Sequence, residues 1–216
     1  MSKKPGIKIE GLYAITPDSS DTAGLLRRAR LVLSGGARVL QYRNKSADAA
    51  LRLAQAAALR ELTCEFAATF IVNDDAQLAA QVDADGAHLG AADGALQAAR
   101  ALLGRDKIIG VSCYNRVSLA REAAAAGADY VAFGAFFASA VKPDAVTAGI
   151  ELLRLARAEL DVPLVAIGGI TARNGAPLLD AGADSLAVIS ALFDAADIRA
   201  AARDFAKLFA PKNLAR

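Results

Sequence analysis

Gly36-Ala37-Arg38-Val39-Leu40-Gln41-Tyr42-Arg43-Asn44-Lys45 holds a helix stop, a strand and a polar strand end in one short stretch. It follows an Ala-rich segment of helical composition. A glycine suits the residue that ends a helix, because it adopts left-handed backbone angles without a steric penalty. The apolar run after it reads as a strand. The phrase returns as Gly127-Ala128-Asp129 and Gly182-Ala183-Asp184, and more loosely as Asp85-Gly86-Ala87. Each copy leads from a helical segment into an apolar run.

The runs fall at 12–16, 39–43, 69–72, 86–89, 108–111, 130–133, 164–167 and 185–189. Segments rich in Ala, Leu and Arg lie between them, such as 47–62 and 117–126. Strand and helix thus alternate eight times. That length and order match a single-domain (β/α)₈ TIM barrel, with an open doubly wound sheet as the competitor. No Gly-x-Gly-x-x-Gly follows the first strand, which favours closure. One domain is expected over 1–216, with its core at about 10–208. No linker or low-complexity segment interrupts it.

Composition removes several function classes. The chain is 55% hydrophobic with a formal charge of +2, and no basic run is interleaved with aromatics, so nucleic acid is a poor partner. The apolar stretches stop short of a membrane span. Met1 to Gly6 leads into no apolar signal segment, so a cytoplasmic location is expected. Cys64 and Cys113 are far apart and form no metal-type pair. One histidine excludes a multi-histidine metal site. Small molecules are the expected partners; the sequence assigns no oligomeric state.

In a barrel of this kind the active site lies at the carboxyl ends of the strands. Strand side chains alternate faces, so Gln41, Arg43 and Lys45 project to one side and Leu40 and Tyr42 to the other. Guanidinium and ammonium groups at a strand end suit a pyrophosphate; solvated surface charges are the plain alternative. Thr16 and Asp18 follow the first strand, Asn73, Asp74 and Asp75 the third, and His88 and Asp93 the fourth. Asp74 and Asp93 follow neighbouring strands, about 4.8 Å apart in a sheet. Two carboxylates so placed can share Mg²⁺ with substrate phosphates. Each can equally cap the helix behind it. Gly168-Gly169 and Ile189-Ser190 leave the seventh and eighth strands, where this fold commonly holds a phosphate on free backbone N–H groups. The long loop from Gly134 to about Thr147 carries Ser139 and Lys142. Its Lys142 is either a pyrophosphate ligand or a solvated charge, and Phe136 and Phe137 can pack the loop down. His88 is better read as a hydrogen-bonded barrel residue than as a base, and Ser112 as a hydrogen-bonding group than as a nucleophile.

In this order the motifs resemble thiamine phosphate synthase, over nearly the whole domain. They are Tyr13-Ala14-Ile15-Thr16, Gln41-Tyr42-Arg43-Asn44-Lys45, Val72-Asn73-Asp74-Asp75, His88-Leu89-Gly90 with Asp93, Gly110-Val111-Ser112, the loop ending in Lys142, Ala166-Ile167-Gly168-Gly169-Ile170 and Val188-Ile189-Ser190. The resemblance implies an enzyme that joins a hydroxymethylpyrimidine diphosphate to a thiazole phosphate and releases pyrophosphate. It implies that Gln41, Arg43, Lys45, Asn73, Ser112 and Lys142 bind the pyrimidine diphosphate, with Tyr42 and Asn44 also in the substrate-binding set. Ser139, Ala140, Val141, Gly169, Ile189 and Ser190 would bind the thiazole phosphate, and Asp74 and Asp93 would hold Mg²⁺. Arg43, Lys45, Ser112 and Lys142 would act on the departing group in a dissociative reaction. The chain departs from the family pattern at Ala91, where a glutamine is usual, and in Ala138-Ser139-Ala140-Val141-Lys142, where Pro-Thr-x-Thr-Lys is usual; Ser139 keeps a hydroxyl and Val141 loses one. A sister thiazole tautomerase group shares the barrel and the Gly-Gly cradle. It typically carries a histidine after the sixth strand, where this chain has Gly134-Ala135-Phe136. A non-catalytic ligand-binding barrel is the other alternative.

Overall fold

The computed structural model describes residues 9–90, 95–138 and 148–210. Eight parallel strands close into a barrel in sequence order: β1 Gly11–Ile15, β2 Val39–Tyr42, β3 Thr69–Asn73, β4 Gly86–Leu89, β5 Ile108–Tyr114, β6 Tyr130–Phe133, β7 Leu164–Ile167 and β8 Ser185–Val188. Leu12 pairs with Leu186 across the closing β1–β8 seam. The open sheet is thereby excluded. The helices are α1 Thr22–Ser34, α2 Ala49–Glu65, α3 Ala76–Gln81, α4 Ala95–Leu103, α5 Val117–Ala125, α6 Ile150–Glu159, α7 Ala176–Asp180, α8 Ser190–Phe193 and α9 Ile198–Lys207. After β8 the chain makes a one-turn helix and then a longer one, where strict alternation predicts a single helix. No described helix is long and apolar enough to cross a membrane.

Aspartates start four of the helices. The carboxylates of Asp21, Asp48, Asp75 and Asp197 accept from the N–H groups of Gly24, Leu51, Leu78 and Ala200. This satisfies donors that the first turn leaves unpaired. Strand alternation then splits the apolar residues into two cores. Tyr13, Ile15, Val39, Ile71, Ile108, Tyr130, Ala132, Val165 and Ala187 fill the barrel interior. Leu12, Leu40, Phe70, Val72, Val131, Phe133 and Leu186 point outward against the helices. Inside, one glycine sets the packing. A Cβ on Gly110 would lie 1.9 Å from the Tyr130 ring, so the phenol occupies the space that a side chain there would need.

The barrel floor carries a repeated fastener. Asp85 precedes β4, and one of its oxygens accepts from the Phe70 N–H at 2.8 Å and from Arg60 of α2 at 3.0 Å. Asp129 precedes β6 and takes the Ile109 N–H at 2.9 Å and Arg100 of α4 at 2.6 Å. Asp184 precedes β8 and takes the Leu164 N–H at 2.7 Å and Arg157 of α6 at 3.0 Å. The repeated Gly-Ala-Asp phrase is therefore a helix stop followed by a strand-pair clasp. Before β2 the corresponding residue is Arg38.

Candidate active site

Two cavities open at the carboxyl ends of the strands. The larger, about 360 Å³, is lined among others by Gln41, Arg43, Lys45, Asn73, Asp74 and Ser112. The smaller, about 210 Å³, lies over Gly168, Gly169, Ile189 and Ser190. Ile167, Gly168, Ala187 and Ile189 line both, so the two share a wall.

The end of β2 is pinned from across the rim. The Thr16 hydroxyl donates to the Arg43 carbonyl and accepts from the Arg43 N–H, both at 2.9 Å. One Asp18 oxygen accepts from the Arg43 guanidinium at 2.8 Å and from the Lys45 N–H at 3.1 Å. β2 ends at Tyr42, and these contacts hold the segment after it, so that Gln41, Arg43 and Lys45 all line the cavity.

Tyr42 and Asn44 do not line the cavity, and their side chains are engaged elsewhere. Tyr42 is 1% exposed, faces the helices and donates to Gln55 Oε1 at 2.9 Å. Burial pushes its phenol up to about 12. Asn44 spends its amide on Ser19 O at 2.7 Å and on Gln55 Oε1 at 3.0 Å. Its Oδ1 accepts from the backbone N–H groups of Ser46 and Ala47. Both side chains hold the rim together, and period-two alternation already puts Tyr42 outward.

The adjacent aspartates divide their work. Asp75 caps α3 and accepts from Arg52 at 2.6 Å. Asp74 sits at φ +60, donates its N–H to His88 O at 2.7 Å and accepts from Asn73 Nδ2 at 2.7 Å. The left-handed angle turns the Asp74 carboxylate to the cavity instead of leaving it to the helix. Asp93, Ser139, Ala140, Val141 and Lys142 lie outside the described residues.

His88 is nearly buried. Its Nδ1 lies 2.9 Å from the Tyr130 hydroxyl and its Nε2 2.8 Å from Ser112 Oγ. Burial lowers its pKa to about 4, with the Asp74 charge a smaller opposing effect. The imidazole is thus neutral near pH 7 and committed on both nitrogens, which is the structural role expected of it. Ser112 lies inside β5 rather than after it, because the strand continues through a bulge to Tyr114.

The β7 loop is built for close backbone approach. Gly168 and Gly169 have φ +105 and +61. A Cβ on Gly169 would lie 2.4 Å from the Ala138 carbonyl. Asn174 braces the turn, accepting from the Thr171 N–H at 2.7 Å and donating to Gly169 O at 3.1 Å. Phe136 and Phe137 donate their N–H groups to Ile167 O and Gly168 O at 3.1 and 3.0 Å. The start of the long loop is therefore packed down on β7, as its phenylalanines suggest. Asn174, Tyr114 at the cavity wall, and the interior phenols Tyr13 and Tyr130 were not singled out from the sequence. Only the Asn174 position, three residues past Thr171, carries a local turn pattern that would have found it.

A family model described as thiamine monophosphate synthase matches residues 12–192. The thiamine-phosphate synthase of Methylobacillus flagellatus is 58% identical over 201 residues, covering 93% of this chain and 96% of that one. The one from Chromobacterium violaceum is 55% identical, covering 94% and 97%. Among solved structures, the thiamine phosphate pyrophosphorylase from Pyrococcus furiosus superposes with a TM-score of 0.82 at 36% identity, covering 92% and 94%.

Proposed function

The chain belongs to the thiamine monophosphate synthase family, and from that premise we propose how the barrel mouth divides the reaction. A thiamine-phosphate synthase joins a hydroxymethylpyrimidine diphosphate to a hydroxyethylthiazole phosphate, yielding thiamine phosphate and pyrophosphate. Two substrates must meet, and the observation that carries the reading is the pair of cavities with a common wall at Ile167, Gly168, Ala187 and Ile189. The larger, with Gln41, Arg43, Lys45, Asn73 and Ser112, takes the pyrimidine diphosphate. The smaller takes the thiazole phosphate on the Gly169 backbone and the turn at Ile189-Ser190. Ser139, Ala140 and Val141 are proposed with the thiazole phosphate and Lys142 with the pyrimidine diphosphate, as the family resemblance implies.

The reaction runs dissociatively. The bond between the pyrimidine methylene and the diphosphate oxygen breaks, and its electron pair leaves with pyrophosphate. Arg43, Lys45 and Lys142 face the charge that grows on the leaving group, and preorganised cations act most strongly at that moment. The ring amino group stabilises the methylene cation. The thiazole nitrogen, held across the common wall, then supplies its lone pair to form the new C–N bond. No proton transfer and no protein nucleophile is required, which agrees with a His88 occupied on both nitrogens. The donor set at the rim fits Mg²⁺: a hard carboxylate from Asp74, turned to the cavity by its backbone, beside two cations that recruit phosphate oxygens. Asp74 and Asp93 would hold the ion, which when bound neutralises part of the pyrophosphate charge. A cytoplasmic reaction completes the proposal.

The test is direct. Purified protein is given both substrates with Mg²⁺, and thiamine phosphate is measured by chromatography. Product that disappears in EDTA and in Arg43→Ala supports the reading. Full turnover in EDTA removes the metal assignment, and full turnover in Arg43→Ala removes the pyrophosphate assignment.

A further inference from the structure

Five side chains form an unbroken hydrogen-bonded line through the barrel interior. Gln41 Nε2 lies 2.8 Å from Tyr13 Oη, which lies 2.8 Å from Tyr130 Oη. Tyr130 Oη lies 2.9 Å from His88 Nδ1, and His88 Nε2 lies 2.8 Å from Ser112 Oγ. Both ends, Gln41 and Ser112, line the larger cavity. The three central members serve no step of the reaction above.

Counting protons fixes the direction of this line. A carboxamide nitrogen only donates, and a phenol has one proton to give. Gln41 Nε2 therefore donates to Tyr13, and the arrangement that leaves no buried phenol proton unpaired sends the Tyr13 proton on to Tyr130. The Tyr130 proton goes to His88 Nδ1, which must then be bare. The remaining ring proton sits on Nε2 and is given to Ser112 Oγ. The Ser112 hydroxyl proton is left to point at whatever occupies the cavity. At the far end, one amide N–H of Gln41 goes to Tyr13, which leaves its carbonyl oxygen and its second N–H for the cavity. Burial raises both phenols above their ordinary range, so neither loses its proton at neutral pH. Reversing the line requires the Gln41 amide to turn over, so that its oxygen accepts from Tyr13.

We propose that Tyr13, Tyr130 and His88 are positioning residues that act as a one-way hydrogen-bond line, making Ser112 a donor on the cavity wall and fixing the Gln41 amide so that its carbonyl is free to accept there. This rests on the pyrimidine-diphosphate reading of that cavity. A donor at Ser112 suits an anionic phosphate oxygen, and an acceptor at Gln41 suits an amino group on a ring. The opposite polarity would commit the Ser112 proton to His88 and offer the anion only an acceptor. The line couples the two ends although Gln41 and Ser112 lie on different strands, β2 and β5. A buried polar network of this kind holds one arrangement only while every member is paired.

The chain has one histidine, so its ring nitrogens can be observed without assignment. Tag-free protein labelled with ¹⁵N-histidine is examined by two-bond ¹H–¹⁵N correlation at neutral pH. The expected spectrum is one neutral tautomer with the proton on Nε2. Tyr130→Phe keeps the ring and removes the hydroxyl. It should yield a mixture of tautomers and lower kcat about tenfold, with the KM for thiazole phosphate unchanged within twofold. A native spectrum showing the proton on Nδ1 overturns the proposal, as does a Tyr130→Phe protein with the native tautomer and native kcat. If Tyr130→Phe does not fold, the native spectrum alone still decides. The failure of the reaction itself is separate: a native protein that makes no thiamine phosphate sinks the functional reading while leaving the tautomer prediction standing.

Discussion

Gly110→Ala should damage both stability and the interior line, through a single methyl group. The added Cβ would fall 1.9 Å from Tyr130 Cζ and 2.2 Å from Cε1. Carbon atoms rest at roughly 3.5–4.0 Å, so the ring must retreat by well over an ångström. Tyr130 is fully buried, stacked on His88 with ring centroids 5.5 Å apart and tilted against Tyr13 at 6.2 Å. It has no slack on those sides, and any retreat opens the hydrogen bonds to Tyr13 and His88. Overpacking costs about 1–3 kcal/mol. Each lost hydrogen bond adds about 0.5–1.5 kcal/mol. The sum centres near 4 kcal/mol, which in a domain of this size lowers the thermal midpoint by roughly 8–16 °C. Urea unfolding followed by circular dichroism reads the change. Gly149→Ala is the control, because its Cβ meets nothing within 4 Å, and it should stay within about 1 kcal/mol of native. In Gly110→Ala/Tyr130→Val the clash partner is gone, so the two costs should add to less than their sum. A Gly110→Ala protein within about 0.5 kcal/mol of native would refute the claim that the phenol owns this space.

At the floor, Asp129→Ala strands the Ile109 N–H and takes the carboxylate from Arg100, which keeps its bonds to the Gly104, Lys107 and Gly127 carbonyls, and should cost about 1–3 kcal/mol. Asp204→Ala, which breaks only a surface pair with Lys207, should cost less than about 0.5 kcal/mol; equal urea midpoints for the two would dismiss the clasp. Asp74→Gly removes a carboxylate from a left-handed position that glycine adopts freely, so its thermal midpoint should stay within about 4 °C of native. Its activity should fall at least about a hundredfold. Retained activity, or a steep loss of stability, would mean that Asp74 serves the fold instead. His88 contributes a pH dependence of definite sign. Its folded pKa, about 4, lies below the ordinary 6.5, so the unfolded chain takes up the proton first as pH falls. Stability contributed by the neutral ring is whole above about pH 6.5 and drains away down to about pH 4, a total of about 3 kcal/mol. Urea unfolding between pH 7 and 4 should therefore show a steeper decline for native protein than for His88→Gln, and parallel slopes would contradict the burial argument.

The barrel could be read from the chain because its signals are local. A glycine ends a helix, an apolar run follows, and strands β4, β6 and β7 occupy the positions those runs mark. The cationic strand end was legible for the same reason, since alternation alone sorts Gln41, Arg43 and Lys45 from Leu40 and Tyr42. Where a motif was taken whole, Tyr42 and Asn44 came along with their neighbours, although their partners are Gln55 and the backbone of Ser19. The pair Asp74-Asp75 was ambiguous for a physical reason: either carboxylate reaches the helix start, and only the φ +60 turn at Asp74 decides between them. Tyr13 and Tyr130 gave no sign at all. Each sits in an ordinary apolar run, and their contact joins residues 117 apart across the closed barrel. Such a contact exists only once the sheet has closed and its register is set.

The floor clasps bear on how this barrel could be rebuilt. Three of its strand pairs are fastened from below, by Asp85, Asp129 and Asp184, each with its own arginine. The first pair has Arg38 at that place and is fastened from above, where Thr16 and Asp18 grip the end of β2. In the three clasped quarters, the upper loops can be exchanged without touching what holds the strands together. In the first quarter the fastening and the chemistry share the same few residues, so a loop graft there would loosen the strand that carries Arg43 and Lys45. A scheme that transplants new loops onto this scaffold has three permissive quarters and one that must be left whole.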